Sequence, residues 1–421
     1  MTRRLPYDRD STSMADFDLC DACQEEYTDP LSRRFHAEPV ACPECGPQLV
    51  GGVGQLVEVL LRGDIAALKG VGGYHLACDA RDHGAVQRLR ARKHRDGKPF
   101  AVMVLNAASA ARHVVLDDSS RRALASPERP VVVLPRRGAA TGLSPDVSPG
   151  LATLGLILPY SGLHYLLFHA LLGMPGGRRW LGEDSELALV MTSANLRGDP
   201  LITSRQEAET RLAGIADYQL HHDREIAARV DDSVLRVSDG VTTVIRRARG
   251  YAPHAVKLAS SGPRVLALGA HLKSTVTLTR GTRAYISPHV GDLDTPAARA
   301  FHAESARALQ AILQSAPERL ACDLHPDYAS TRLAEQMSEE LELPLLRVQH
   351  HHAHSGAVLA EHRHEDAALA VALDGHGRGG DGGSWGGELL FLEGGKSQRV
   401  GHFSPLYLPG GDTAAREPWR M

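Results

Sequence analysis

Four of the six cysteines in this 421-residue chain form two tight pairs, Cys20-Asp-Ala-Cys23 and Cys42-Pro-Glu-Cys45, spaced C-x2-C-x18-C-x2-C. Each CxxC turn can aim two sulfurs at one ion, and two such turns at this separation read as a tetrahedral zinc site. Four thiolates close the shell and leave no position for substrate, so the zinc would be structural. A pair of disulfides or a redox CxxC are the alternatives. The segment between the pairs is too short and polar for a core of its own, so metal binding would supply its folding free energy. Cys78 and Cys322 stand alone in apolar contexts and read as buried thiols.

A second concentration of ligand-type side chains is VQHHHAH, residues 348–354. On a helix starting near His350, residues four apart share a face, so His350 and His354 point together; His351 with His354 is the alternative pair. Two histidines one turn apart chelate a metal well. The chain holds 22 His, so helix capping or plain surface exposure is the bland reading. Asp374 ends the apolar run ALAVALD, where a third ligand could approach. Gly375, Gly377, Gly379 and Gly380 follow in a glycine-rich loop whose backbone N–H groups could reach a phosphate.

The third group is basic. Lys93, Arg95 and Lys98 cluster before the apolar run FAVMVL, and Ser193 and Asn195 sit at the exit of ELALVMTSAN. Lys69 leads into the glycine-rich turn KGVGGYHL, and Arg224, Arg229, Arg246, Arg247 and Arg249 come later, around Asp231-Asp232-Ser233. Strand exits and glycine turns are where α/β folds place ligands. Arginine suits bidentate phosphate contacts and lysine acts as a point charge. Any one of these cations alone reads as solvated surface charge; together they support a phosphate or nucleotide site.

The elements that must position these groups alternate, which gives an α/β class. Helices are expected at 55–62, 82–95, 296–314, over YASTRLAEQMSEELE and from about His350. Strands are expected at 64–69, 130–137, 154–160, 186–195, over FAVMVL, ERLACDLHP and PLLRVQ, and on both sides of the glycine-rich loop. Ser260-Ser261-Gly262-Pro263 reads as a linker. After it, RVLALGAHLKSTVTLTRGTRAYIS reads as strand, glycine turn, strand, tight turn at Arg280-Gly281, strand. The organisation is then 1–50, a zinc-finger segment; 51–258, an α/β nucleotide domain; and 263–421, a second α/β domain.

With 47 basic and 50 acidic residues, net charge is −3, so nothing global points to nucleic acid or an anionic membrane surface. No apolar run approaches the ~18 residues of a membrane span, and MTRRLPYDRDSTSMADFD has no apolar core of a secretory signal. A cytoplasmic location is the default.

KGVGGYHLACDA, RKHRDGKPFAVMV, LGLILPYSGLH, ALVMTSANLRGDP, HHDREIAARVDDSVLR and RRARGYAP together resemble the YrdC-like domain of the HypF carbamoyltransferases of nickel–iron hydrogenase maturation. The cysteine quartet with EEYTDPLSRRFHAEPVACPECGP looks like that family's second zinc finger. LALGAHLKSTVTLTR, YISPHVGDLD, CDLHPDYASTRLA, VQHHHAH, LDGHGRGGDGGSWGGE and PGGDTAAREPWRM look like its carbamoyl-transfer domain, of sugar-kinase/actin-like ATPase fold. The likeness covers 15–421.

The resemblance implies an enzyme. Carbamoyl phosphate and ATP with Mg2+ yield carbamoyl-adenylate and pyrophosphate, and the carbamoyl group passes to the C-terminal cysteine of a partner, HypE. There it is dehydrated to a thiocyanate that supplies cyanide ligands. Lys69, Lys93, Arg95, Lys98, Ser193, Asn195, Arg229 and Arg247 would bind nucleotide or carbamate. His350, His354 and Asp374 would hold a second divalent metal, iron or zinc. No membrane or nucleic-acid partner is expected. The family begins with an acylphosphatase-like domain and another finger and continues into a further C-terminal lobe, so a chain truncated at both ends is expected, with one more metal-binding Asp in that lobe. Two other readings stay open: a non-catalytic zinc and nucleotide-binding fragment, and threonylcarbamoyl chemistry for tRNA. The finger and the joining of both domains argue against the latter. An antibiotic O-carbamoyltransferase shares both catalytic domains but generally lacks the finger.

Overall fold

The structure is a computed structural model that describes residues 2–138, 142–195, 198–405, 409–411, 413–414 and 417–420. Leu196 and Arg197 of ALVMTSANLRGDP, and Asp412, Ala415, Arg416 and Met421 of PGGDTAAREPWRM, lie outside the described residues, as do Leu406–Leu408 just before that motif. The chain divides into two compact units, Met1–Ala252 and Pro253–Met421.

The first unit opens with helix α1 (Asp21–Thr28), whose first turn carries the first cysteine pair. Its strands are β1 (Leu49–Val50), β2 (Ala66–Lys69), β3 (Tyr74–Asp79), β4 (Ala101–Val104), β5 (Val131–Pro135), β6 (Thr153–Ile157), β7 (Ala188–Ser193), β8 (Tyr218–His222), β9 (Val234–Ser238) and β10 (Val241–Arg246). They form one mixed sheet in the order β1-β8-β2-β3-β7-β4-β6-β5-β9-β10. The helices are α2 (Val53–Leu61), α3 (His83–Arg92), α4 (Ala107–Ala110), α5 (Asp118–Ala125), α6 (Gly162–Leu171) and α7 (Arg205–Arg211).

Both faces of the central strands are buried, which is why they read as continuous apolar runs rather than alternating ones. Leu76, Val102, Val104 and Val190 face one core with Val86 and Leu89 of α3, Leu124 of α5 and Leu212 beside α7. Ala77, Met103, Leu189 and Met191 face the other with Leu56, Val59 and Leu60 of α2 and Leu167 and Phe168 of α6. The i, i+3, i+4 spacing on α2 puts its three leucine-type anchors on one stripe. Truncating fully buried Phe168 to Ala should cost about 3–5 kcal/mol.

The second unit has strands β11 (Ala255–Gly262), β12 (Val265–Ala267), β13 (Thr277–Ile286), β14 (Arg319–Asp323) and β15 (Leu345–Val348), ordered β11-β13-β12-β14-β15. Strands β12, β14 and β15 run parallel. Helices α8 (Pro296–Leu313) and α9 (Ala329–Leu341) accompany this sheet, over a core that includes Leu266, Leu278, Leu309, Leu320 and Met337. Helix α10 (His350–His362) leads to a three-stranded antiparallel sheet, β16 (Ala368–Arg378), β17 (Ser384–Glu393) and β18 (Lys396–His402).

Three local expectations are corrected. The stretch 260–262, read as linker, is the end of β11. The tight turn at Arg280-Gly281 is absent, and β13 runs straight through. Its first residues pair with β12 and its last with β11, and Gly281, at φ +58, sits where the partner changes. A glycine takes that positive φ without Cβ strain. The glycine-rich loop after Asp374 is largely strand: Gly375 and Gly377 belong to β16, and only Gly379 and Gly380 lie in the hairpin turn.

Candidate functional site

The four cysteine sulfurs lie within 4.8 Å of one another. Cys42 Sγ is 3.7 Å from both Cys20 Sγ and Cys45 Sγ. A disulfide needs about 2.05 Å, whereas a tetrahedron with Zn–S near 2.3 Å has edges of about 3.8 Å. The site therefore fits zinc and not disulfides, and all six cysteines are free thiols. Burial and neighbouring sulfurs push Cys23 up to about 12, while backbone N–H groups of Cys20 and Cys42 pull Cys45 down to about 6. Four thiols this close cannot all ionise without a cation among them.

In the first unit the sequence candidates divide. Lys93, just beyond α3, donates to the carbonyls of Ser193 (2.8 Å) and Asn195 (3.0 Å) at the exit of β7. Ser193 Oγ donates to Asn195 Oδ1 at 3.0 Å, and Asn195 Nδ2 to the Asp199 carbonyl at 2.8 Å. Burial, then the charges of Arg95 and Lys98, lower Lys93 to about 8; Asp231 opposes them. Arg95 is lowered to about 10 by burial, with Arg90 and Arg246 adding repulsion. Its guanidinium lies over the Phe100 ring, 4.9 Å from the centroid, and donates to the Lys98 and Pro99 carbonyls. Lys93, Arg95, Lys98, Ser193, Asn195 and Arg246 thus share one positive neighbourhood.

The other candidates have contacts of their own. Lys69 is buried, and its ammonium donates to the carbonyls of His222 (2.9 Å) and Arg224 (2.8 Å), tying β2 to the segment after β8. Burial lowers its pKa. Arg247 donates to the Tyr251 carbonyl at 3.0 Å. Arg229 is half-buried beside Val230, which docks on the glycine turn. A Cβ at Gly72 would meet the Val230 carbonyl at 2.3 Å, so this glycine serves close backbone packing.

A buried network in this unit joins Asp232 and Arg249 of the basic group to His75, Tyr160 and His164, which were not singled out from sequence. Asp232 lies 3.3 Å from His75 Nε2 and 2.9 Å from Arg249. Arg249 stacks over Tyr160, 3.6 Å from its centroid, and Tyr160 packs edge-on against His164. Burial opposes ionisation of Asp232, yet His75 and Arg249 outweigh it and hold its carboxyl well below the usual range. Burial and then His75 push His164 down to about 3, so it is neutral. The run DDSV and the isolated GYH gave no spacing signal for this pairing.

In the second unit the His350–His354–Asp374 set does come together. His350 and His354 lie one turn apart on α10, with their Nε2 atoms 3.2 Å apart. Asp374 Oδ2 is 2.9 Å from His350 Nε2 and 3.5 Å from His354 Nε2. Metal–ligand bonds near 2.1 Å give ligand edges of about 2.9–3.4 Å in octahedral or tetrahedral shells, so the donors fit a divalent ion. The register of β16 against β17 shifts between Leu373 and Gly377, and this irregularity carries Asp374. A Cβ at Gly377 would stand 2.7 Å from His350 Cδ2, so the glycine lets β16 approach the histidine helix. His351 is fully buried and its Nδ1 accepts from Gln349 Nε2 at 3.1 Å; it and His352 are not among the clustered donors. Gly375 N–H donates to Asp374 Oδ1 and Gly379 N–H to the Gly383 carbonyl, so two of the four glycine donors have partners within the hairpin. Asp323 was missed: its Oδ2 is 2.6 Å from His350 Nδ1, and it raises the His350 pKa.

Comparison with known proteins matches each part. Residues 19–50 match the family described as HypF finger, 58–248 the family described as Telomere recombination, 260–361 the HypF Kae1-like domain, and 370–421 the second subdomain of the Carbamoyltransferase Kae1-like domain. The chain is 52% identical to Carbamoyltransferase HypF2 of Cupriavidus necator, covering 100% of this chain and 54% of that one. It is 48% identical to Carbamoyltransferase HypF of Rhizobium leguminosarum bv. viciae, covering 97% and 58%. A crystal structure of full-length HypF in its phosphate- and nucleotide-bound form superposes with TM-score 0.89 at 38% identity, covering 98% of this chain and 54% of that one. The chain thus spans about half the length of the relatives it matches. Its parts are a zinc finger, a YrdC-like α/β domain and Kae1-like domains. Among the described residues no helix is long and apolar enough to cross a membrane.

Proposed function

The chain belongs to the HypF carbamoyltransferase family, and from that premise we propose that it forms carbamoyl-adenylate and passes the carbamoyl group to a cysteine of a hydrogenase-maturation partner. Its working parts would be the finger at 1–50, the adenylating domain at 51–258 and the transfer domain at 263–421, in a cytoplasmic protein.

Carbamate forms when water takes the phosphoryl group of carbamoyl phosphate as inorganic phosphate. A carbamate oxygen then attacks the α-phosphorus of Mg2+-bound ATP, the α–β bridging P–O bond breaks, and pyrophosphate leaves with the electron pair. The C-terminal thiolate of HypE next attacks the carbamoyl carbon, and AMP leaves. No side-chain nucleophile is required of this chain, so positioning and fixed charge carry the chemistry.

The observation that carries the proposal is the arrangement around Lys93. Two of its three N–H donors hold the Ser193 and Asn195 carbonyls, and the third is left for an anion. Arg95 and Lys98 add positive charge to that position, and Arg246, paired with Asp231 at 2.6 Å, acts on Arg95; a triphosphate and a carbamate call for such cations. Lys69 and Arg247 donate to backbone carbonyls, and with Arg229 they would add further positive charge for an anionic ligand. In the second unit, a divalent ion, iron or zinc, held by His350, His354 and Asp374 would supply Lewis-acid polarisation of phosphate or carbonyl oxygen. Gly375 and Gly377 lie beside Asp374 and His350, and a phosphate reaching these two or Gly379 and Gly380 of the hairpin turn would have to displace the partners that the Gly375 and Gly379 N–H groups hold.

The test is intact-mass analysis of HypE after incubation with this chain, carbamoyl phosphate and Mg2+–ATP. One carbamoyl group on its C-terminal cysteine is expected. Unmodified HypE beside accumulated carbamoyl-adenylate would remove the transfer half of the proposal, and absence of both would favour a non-catalytic zinc and nucleotide-binding fragment.

A further inference from the structure

The clustered donors in the second unit hold three ligand atoms, but a fourth side chain controls one of them. Asp323 ends β14, the middle of the three parallel strands, and His350 opens α10 directly after the neighbouring β15. Parallel strands side by side therefore bring the carboxylate and the imidazole together at their C-terminal ends. Asp323 Oδ2 lies 2.6 Å from His350 Nδ1, and its side chain is only 4% exposed. Its other oxygen, Oδ1, accepts the backbone N–H of His325 at 2.8 Å. The carboxylate is thus locked in orientation and presents an acceptor, not a donor, to His350.

We infer that Asp323 is a positioning residue that holds His350 as the Nδ1–H tautomer, so that the Nε2 lone pair faces His354 and Asp374 and the trio is competent to bind a divalent cation. This rests on the metal reading of His350, His354 and Asp374 given above. An imidazole has one lone pair to offer, and the partner of one nitrogen decides which nitrogen offers it. Without an acceptor at Nδ1 the proton is free to sit on Nε2, where it blocks coordination. The carboxylate also fixes the ring plane, and the space between His350 and Gly377 is too small even for a Cβ, which leaves the ring little room to turn.

The two substitutions Asp323→Asn and Asp323→Ala separate this role from simple packing. Asn is the closer steric match. Its amide oxygen would keep the His325 N–H, which leaves the NH2 group aimed at His350 Nδ1. A donor there forces the opposite tautomer, with the proton on Nε2. Ala leaves Nδ1 to water, which can still accept. The tautomer role therefore predicts that the conservative Asn variant binds metal worse than the Ala variant. A purely structural role predicts the reverse order.

The experiment uses the full chain, stripped of metal and titrated with Co2+ and Zn2+ against a chelator of known affinity. Zinc stoichiometry, the Co2+ absorption spectrum and the melting temperature of the metal-free protein are read together. Wild type should take two ions, one in the cysteine quartet and one lost in His354→Ala. Asp323→Asn should weaken the second ion by about 10–100-fold or more and change its Co2+ spectrum, with Asp323→Ala intermediate and metal-free melting near wild type in at least one variant. Wild type binding two ions while both variants keep its affinity and spectrum overturns the inference and leaves the metal reading intact. Asn milder than Ala, with losses that follow melting temperature, overturns it in favour of a structural role. Wild type binding a single ion, insensitive to His354→Ala, overturns the metal reading and the inference with it.

Discussion

Replacing Lys93 with Met keeps the length of the buried stem and removes the charge on which the adenylation proposal depends. The ammonium makes two charge-assisted bonds to the β7 exit, and a phosphate would add a third. One such bond to a charged group is worth about 1.5–3 kcal/mol, so the variant should bind a non-hydrolysable ATP analogue about 10- to 150-fold more weakly at pH 7. The effect is linked to pH. Lys93 is lowered by burial and neighbouring cations to about 8, which corresponds to a few kcal/mol against its charged form. Below pH 8 the free protein already carries the charge. Between about 8 and 10.5 the free amine has shed its proton and a bound phosphate restores it, so binding takes up a proton and wild-type affinity falls as pH rises. The same depression makes the unfolded chain bind more protons than the folded one in that window. Lys93 therefore penalises folding below it, and this penalty is relieved as pH rises through it. Calorimetric titration from pH 7 to 9.5, in buffers of different ionisation enthalpy, reads affinity and proton uptake together. Wild type and Lys93→Met should converge toward the upper end. A wild-type to variant affinity ratio that stays constant across that range, with no proton uptake, would refute the reasoning.

Three further outcomes follow from the geometry. Cys20→Ser or Cys42→Ser should remove one zinc per chain by elemental analysis and melt the segment around α1, as loss of limited-proteolysis resistance would show. Asp232→Asn breaks a buried ion pair with His75 and Arg249 and should cost about 3–5 kcal/mol in urea denaturation. Because the Asp232 carboxyl is held below its ordinary value, the stability it contributes is present above about pH 4 and is lost as pH falls, so the variant should lack that acid-sensitive component. Gly377→Ala puts a Cβ 2.7 Å from His350 Cδ2 and should cost about 1–3 kcal/mol by overpacking while weakening the second metal; a crystal structure or chelator titration with His350 undisturbed would contradict this.

Local chemistry was legible where spacing alone decides geometry. The CxxC turns and the i, i+4 histidines need only a knuckle or one helical turn, and both groups cluster in the fold as their spacing implies. Long apolar runs identified the central strands because both sheet faces are covered. Sequence gave no access to pairings made by topology. Asp323 reaches His350 only because β14 and β15 are neighbours, and Asp232 reaches His75 across the sheet interior. Glycines are ambiguous in sequence for a related reason. Gly72 and Gly377 permit close backbone approach, which in sequence looks the same as a phosphate loop. Lys69 carries no local mark of the two backbone carbonyls that its buried ammonium holds.

The central claim is carbamoyl adenylation in the first unit, and ATP–pyrophosphate exchange tests it most directly. Protein with one zinc in the quartet and a cooperative melt is incubated with Mg2+–ATP and labelled pyrophosphate, with carbamoyl phosphate or with ammonium bicarbonate, whose equilibrium contains carbamate. Label should enter ATP only when a carbamate source is present, and Lys93→Met should abolish the exchange. No carbamate-dependent exchange from such well-folded protein, or exchange indifferent to Lys93, would contradict the account.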